Sequence, residues 1–412
     1  MLIPSIDLVR GQAVQLRQGR ELEFVADENP RDLARRFGRV GEIAVIDLDA
    51  ARGIGDNLPL IEELCALAPC RVGGGIRNVE RGRRLLRAGA RRLIIGTAAK
   101  PDFLQEFPAT RLVAAVDARD GCVVDSGWER QLSESPVERA RRLEPYVGGF
   151  LYTVVERGGT QEGVDMASVR ALAEAVGKPV TAAGGVRAAE EIQALDRIGV
   201  DAQVGMALYR GAIGLGEGLA AVLDFTRPGG RVVTVVQDAR DGRVLAVTHS
   251  TRESLVASVD SGEVVLPARR RAGGSTGEAS GGAHRLVRVE ASCERDAILF
   301  LVEPTGPACH RGTASCFGDR PFSLAQLEQV IAEQAAAAGA GSYTGRLLTD
   351  PVTRRAKIIE EAHELVDADT AAAIRGEAAD LLYHVLVDLA ARDVPLAAVV
   401  TELESRRRRP AG

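Results

Sequence analysis

The sequence predicts a multidomain chain of 412 residues: an N-terminal (β/α)8 TIM barrel, a central β-rich α+β domain and a C-terminal all-α domain. Three observations carry this. Short β-branched runs alternate with longer amphipathic stretches as far as about residue 225, the pattern of a parallel sheet. That stretch repeats itself at an offset near 110 residues. Beyond Ser323 the apolar spacing is helical throughout.

The strand-like runs include 43–47, 92–96, 112–117, 150–153 and 179–183. Gly74-Gly75-Ile76 recurs as Gly184-Gly185-Val186, and Ile95-Gly96 as Val204-Gly205. Asp7 and Asp117, each ending a strand, stand 110 residues apart. Four strands per half give eight, and in a closed eight-stranded barrel strands one and five are opposed. The repeat therefore sets Asp7 and Asp117 across the mouth from each other.

Arg227-Pro-Gly-Gly230 reads as a linker. A β-rich segment follows over 231–320, with hairpin signals at Asp241-Gly242 and Ser261-Gly262 and a stretch, Ala272 to Ala283, with the Gly/Ser content of a mobile loop. Helical runs cover 324–338, 352–365, 371–392 and 395–406, the first capped by Ser323. The expected domains are 1–226, 227–322 and 323–412.

Charged residues at 26% and hydrophobic ones at 46% are ordinary for a globular chain. No apolar run is long enough for a bilayer span, and Met1-Leu-Ile-Pro runs into a strand with no secretory signal. We expect a cytoplasmic protein without a membrane partner. A net charge of −5 gives no reason to expect nucleic acid, and Arg406 to Arg409 reads as a solvated terminus. Among the six cysteines, Cys65, Cys70 and Cys122 read as buried or incidental thiols in a reducing compartment.

Barrel sites lie at the C-terminal ends of the strands, where Asp7, Asp117 and Thr153 fall. The turns Gly74-Gly75 with Gly96-Thr97, and Gly184-Gly185 with Gly205, expose backbone N–H groups to anions. Two such sets imply a ligand with a phosphate at each end and its centre between the aspartates. One Asp would protonate a ring oxygen while the other takes a carbon-bound proton, as in an aldose-to-ketose rearrangement.

The strings Leu2-Ile-Pro-Ser-Ile-Asp7, Ile46-Asp-Leu-Asp-Ala-Ala51, Val72-Gly-Gly-Gly-Ile-Arg77, Ile94-Ile-Gly-Thr97, Ala115-Val-Asp117 with Gly127-Trp128, and Ala182-Ala-Gly-Gly-Val186 resemble the histidine-biosynthesis isomerase acting on phosphoribosylformimino-aminoimidazole carboxamide ribotide. The resemblance implies that Asp7 is the base, Asp117 the acid, and that Thr153 contacts substrate. Gln15 stands where the family usually has Arg, Val154 and Gly158 replace acidic residues, and Met206 replaces Lys.

Cys309 and Cys316 flank His310, with Cys293 sixteen residues before Cys309. Three thiolates suit Zn²⁺ and leave a fourth position for a hydrolytic water. The string Gly306-Pro-Ala-Cys309-His310-Arg-Gly-Thr-Ala-Ser-Cys316, with Ser292-Cys-Glu-Arg-Asp296, is similar to phosphoribosyl-AMP cyclohydrolase. That likeness implies Zn²⁺ on Cys293, Cys309 and Cys316 shared across a dimer, His310 near the reacting ring, and Mg²⁺ ligands at Glu294 and Asp296. Ser292, Gly274 and Thr276 depart from the family's pattern. We expect zinc to be kept and ring opening to be weak or absent.

Glu361 and Glu364, like Glu377 and Asp380, are three apart on a helix, and Glu360 is four from Glu364, so each pair shares a face. Carboxylates so crowded call for a hard cation, Mg²⁺. The strings Ser342-Tyr-Thr-Gly-Arg-Leu-Leu348, Lys357-Ile-Ile-Glu-Glu-Ala-His-Glu364 and Gly376-Glu-Ala-Ala-Asp-Leu-Leu-Tyr-His384 resemble phosphoribosyl-ATP pyrophosphohydrolase. The resemblance implies Mg²⁺ on Glu360, Glu361, Glu364, Glu377 and Asp380, with Lys357 toward phosphate.

Together the resemblances imply three successive reactions on phosphoribosyl nucleotides and a homodimer formed through the central and C-terminal domains. Two alternatives stand beside this: a bifunctional enzyme whose centre is only a zinc-stabilised dimerisation module, and a non-catalytic phosphosugar-binding scaffold.

Overall fold

The computed structural model describes the chain except residues 18–20, 126, 129, 161, 227–228, 265–283, 310–311, 319–321, 337–341 and 408–412, with only the backbone at 404–407. His310, Gly274, Thr276 and the Gly/Ser-rich stretch lie outside the described residues. The chain divides into two compact units, one of Met1–Gln237 with Val244–Phe317, the other of Asp238–Arg243 with Gly318–Gly412.

In the first unit eight parallel strands close a barrel: β1 (Leu2–Val9), β2 (Ile43–Asp47), β3 (Cys70–Gly73), β4 (Arg92–Ile95), β5 (Leu112–Arg119), β6 (Gly149–Val154), β7 (Val180–Ala183) and β8 (Val200–Val204). Each pairs with the next, and β8 returns to β1 through Leu2↔Ala202. Outward apolar side chains such as Ile6, Leu8, Ile43 and Val45 join the surrounding helices in one large core. Inside the barrel, Ile94, Val113 and Leu151 form a separate apolar layer. Elsewhere Arg71 of β3, 1% exposed, donates to Thr181 of β7 at 2.9 Å and pairs with Glu42. Arg71 and Thr181 are themselves 110 residues apart.

The repeat extends into the loops. After β1 the chain turns at Arg10-Gly11, both with positive φ, into Gln12–Arg17, which pairs back on β1 with Asp7 opposite Val14. After β5 it does the same at Asp120-Gly121, into Cys122–Asp125, with Asp117 opposite Val124. Two successive residues with positive φ make the tight hairpin that follows strand twist. Each aspartate thus sits where a barrel strand becomes a hairpin.

Four antiparallel strands follow, β9 (Arg231–Asp238), β10 (Val244–Thr251), β11 (His284–Ala291) and β12 (Ala297–Pro304), in the order β10-β9-β12-β11. The expected hairpin at Asp241-Gly242 joins β9 to β10. The one expected at Ser261-Gly262 does not form. These residues end a helix, α1 (Arg252–Ser261), capped by Thr251 and closed by Gly262 at φ +79°. Glycine in the left-handed region serves helix ends as well as hairpins, so the dipeptide alone does not separate them. This sheet packs on the barrel: Arg39 donates to the Val259 carbonyl at 3.0 Å, and Gly216 N–H to Asp260 at 2.9 Å.

The second unit holds the helices α2 (Leu324–Ala336), α3 (Tyr343–Thr349), α4 (Pro351–Asp367), α5 (Ala371–Ala390) and α6 (Leu396–Arg407). Ser342 and Asp350 cap α3 and α4. Its described core is small: Ile331, Leu347, Leu386 and Val387. Among the described residues no helix is long and apolar enough to cross a membrane.

Candidate active sites

A cavity of about 330 Å³ opens at the C-terminal ends of the barrel strands. Asp7, Asp117 and Thr153 line it. So do both glycine sets, Gly74, Gly75, Gly96 and Thr97 from the first half and Gly184, Gly185 and Gly205 from the second. Asp7 on β1 and Asp117 on β5 come from the first and fifth barrel strands, which lie opposite each other. At Gly74, φ is +93° and a Cβ would lie 2.2 Å from the Asp47 carbonyl oxygen; at Gly185, φ is +86° and a Cβ would lie 2.4 Å from that of Gly163. Neither position admits a side chain, which leaves the backbone of each turn open to a ligand.

The aspartates are held differently. Ser5, two residues back on β1, donates its hydroxyl to Asp7 at 2.8 Å. Burial pushes the Asp7 carboxyl up to about 6, and the Ser5 bond offsets this only in part. Burial also raises Asp117, against the pull of hydrogen bonds from Trp128 and Thr153. The Trp128 indole N–H lies 2.8 Å from Asp117, on a residue at φ +70°. A carboxyl that titrates near neutrality can both take and return a proton.

Sequence reasoning missed the support beneath the first glycine set. Asp47, fully buried, accepts from Asn57 at 2.8 Å and pairs with Arg81 at 2.7 Å. Asn57 in turn donates to Asp49 and accepts from Gly11 N–H, so the β1 hairpin turn is tied to the same network. Asp47 and Asp49 belong to the run 46–51 at the end of β2, but nothing local points to Asn57 as their partner. Also missed was Gln203 on the cavity wall, and Gln15, read only as a departure from the family's usual Arg, lines the same wall.

In the central region Cys309 is buried while Cys293 and Cys316 are exposed. Among the described residues the three do not come together as a metal-sized group within the chain. Ser292 bonds Asp296 at 2.9 Å, and Arg295 at φ +60° pairs with Asp196 of the barrel at 2.8 Å. The turn that carries Glu294 and Asp296 is thus fixed to the barrel.

In the helical unit, carboxylate oxygens of Glu361, Glu364 and Glu377 lie within 4.8 Å of one another. Glu364 is raised, through lost hydration first and then through the charges of Glu377, Glu361 and Glu360. Glu360 instead pairs with Lys357 at 2.9 Å, and Lys357 also reaches Glu361 at 3.5 Å. Asp380 is exposed and outside the trio. His384, 4% exposed, sits 3.6 Å from Glu361.

A family model described as Histidine biosynthesis protein matches residues 1–214. The chain is 44% identical over 237 residues to a 1-(5-phosphoribosyl)-5-((5-phosphoribosylamino)methylideneamino) imidazole-4-carboxamide isomerase of Rubrobacter xylanophilus, covering 54% of this chain and 96% of that one. The chain belongs to the histidine biosynthesis protein family. Isomerases of the same description from Sorangium cellulosum and Methanosphaera stadtmanae are 40% and 33% identical, each over 98% of its length and 53% of this chain. To this family's barrel the chain joins two further segments. Residues 246–318 match Phosphoribosyl-AMP cyclohydrolase and residues 324–407 match Phosphoribosyl-ATP pyrophosphohydrolase. It is an enzyme combining isomerase and hydrolase families of histidine biosynthesis.

Proposed function

We propose that the chain acts at three points on phosphoribosyl nucleotides, through domains at 1–226, 227–322 and 323–412. The three family matches fall inside these segments. The observation that carries the barrel's part is the pair of raised, opposed carboxyls between two glycine cradles. A substrate with a phosphate in each cradle presents its aminoaldose sugar to both. Asp117 gives a proton to the ring oxygen as the C1–O bond breaks. Asp7 takes the proton from C2, and the electron pair moves into the C1–C2 bond. The resulting enaminol loses its hydroxyl proton and gains one at C1, leaving the aminoketose. Thr153 holds Asp117 and faces the sugar.

In the helical unit Glu361, Glu364 and Glu377 suit a hard divalent cation, because like charges this close are stabilised by one. Bound Mg²⁺ would neutralise a triphosphate and orient the attacking water. Glu360 and Asp380, outside the trio, would add further ligands, and Lys357, paired with Glu360, would turn to a phosphate as phosphoribosyl-ATP loses pyrophosphate. For zinc, a single chain does not gather the three thiols, so we derive no step through it. A homodimer would combine cysteines of two copies, and it would also cover the apolar side chains that the small helical unit exposes, Val352, Ile359 and Val366.

One observation favours a second reading of the centre, as a docking module with little ring-opening activity: the Ser292–Asp296 turn is engaged with itself and with Asp196. Supplying the purified chain with phosphoribosyl-ATP and following each product separates the readings. Accumulation of phosphoribosyl-AMP supports the docking module, and passage onward supports three activities. Asp7→Asn beside the parent tests the isomerase: a parent without turnover would return the barrel to a binding scaffold, and a variant as fast as the parent would remove Asp7 from the proton transfer.

A further inference from the structure

We propose that Gln15 and Gln203 together receive a primary carboxamide on the ring at the centre of the barrel ligand, and so select it against the corresponding carboxylate; this rests on the isomerase reading. The two residues flank β1, the strand of Asp7. Gln15 lies on the hairpin strand folded against one side of it, and Gln203 on β8 against the other, opposite Ile3. Both line the cavity. The Gln15 amide occupies space that Gly205 leaves free: its Oε1 is 2.3 Å from where a Cβ would stand.

Among the described residues Gln15, 5% exposed, has a shielded Nε2 with no hydrogen-bond partner, and Gln203 has a shielded Oε1 with none. Buried amides are rarely left so, and each such group calls for a ligand or water. The two unpartnered atoms are one donor, Gln15 Nε2, and one acceptor, Gln203 Oε1, so the pair as it stands offers one of each. A primary carboxamide needs one of each. A carboxylate is an acceptor only, and would face the amide oxygen and two aspartates. Among the described residues that line the wall each arginine is engaged: Arg77 is bound to the carbonyls of Ala50 and Ala51, Arg139 to Glu134, and Arg52 also has a partner. The glycine cradles are left to phosphates.

The test uses the full chain, the imidazole-carboxamide substrate and its carboxylate isostere as a competitor. The parent should bind the carboxylate at least about tenfold more weakly. Gln15→Leu and Gln203→Leu should each raise KM about tenfold with kcat within about threefold, and the double variant should fall short of the product of the two. Gln15→Arg should narrow the preference. Equal binding of the two isosteres by the parent, or an unchanged KM in both leucine variants, overturns the proposal. Because discrimination is read on the parent, a variant that fails to fold does not blunt the test. Binding that discriminates without any turnover would instead sink the isomerase reading alone.

Discussion

The barrel and the helical unit both collect carboxyl groups, and they do so in opposite ways. Asp7 and Asp117 stand apart on opposed strands, and each is raised chiefly by burial. Glu361, Glu364 and Glu377 crowd within 4.8 Å, where their charges act on one another. The first arrangement suits single groups to the proton transfer proposed for them; the second suits the cation proposed for it. The scaffolds differ accordingly. The barrel fixes its aspartates in a large core, whereas the helical unit buries only Ile331, Leu347, Leu386 and Val387 among its described apolar residues and exposes Val352 and Val366 at 77% and 81%.

The comparison can be broken at several points. The largest effect should come from Asp7→Asn or Asp117→Asn, each lowering isomerisation about 10³-fold or more while pyrophosphate release continues unchanged, as read by separate assays of the same preparation. Next, Glu364→Gln or Glu377→Gln should cut pyrophosphate release about 100-fold and weaken Mn²⁺ binding measured by titration, with isomerisation intact. Gly74→Ala should cost about 3 kcal/mol in denaturant unfolding, because its Cβ meets the Asp47 backbone, whereas Gly121→Ala, with open space around it, should cost about 1 kcal/mol.

The smallest effects concern pH. If Asp7 is the base, it must be ionised, so kcat/KM for isomerisation should fall on the acid side with a midpoint near 6. Its effect on stability has the opposite sign to a salt-bridged carboxylate. The folded state favours protonated Asp7, so its contribution is full below the ordinary carboxyl range and is lost as pH rises through about 6. Asp7→Asn should therefore match the parent near pH 4 and exceed it in stability at pH 8 in thermal unfolding. A variant less stable than the parent at pH 8 would contradict the burial account of the raised carboxyl.

The barrel was legible because its repeat is written at an offset that survives in both loops and core, from Gly75 and Gly185 to Arg71 and Thr181. The opposition of Asp7 and Asp117 followed from counting strands. Gln15 and Gln203 were not legible as a pair, since neutral amides carry no pattern and come to line one cavity only once β8 closes on β1. Helix α3 was missed because seven residues with Gly345 inside give little periodicity. In the helical unit, spacing along the chain grouped Glu360 with Glu361 and Glu364, but only the packing of α4 on α5 separates Glu360, beside Lys357, from the trio. For the cysteines, spacing in the sequence carried no information on distance in the fold.

The contrast between isolated and crowded carboxyls is tested most directly by metal removal. The full chain, treated with EDTA and assayed separately for isomerisation and for pyrophosphate release, should keep the first within about twofold and lose the second by at least about 100-fold, with recovery on adding Mg²⁺. Loss of both activities, or pyrophosphate release that survives EDTA, would contradict the account.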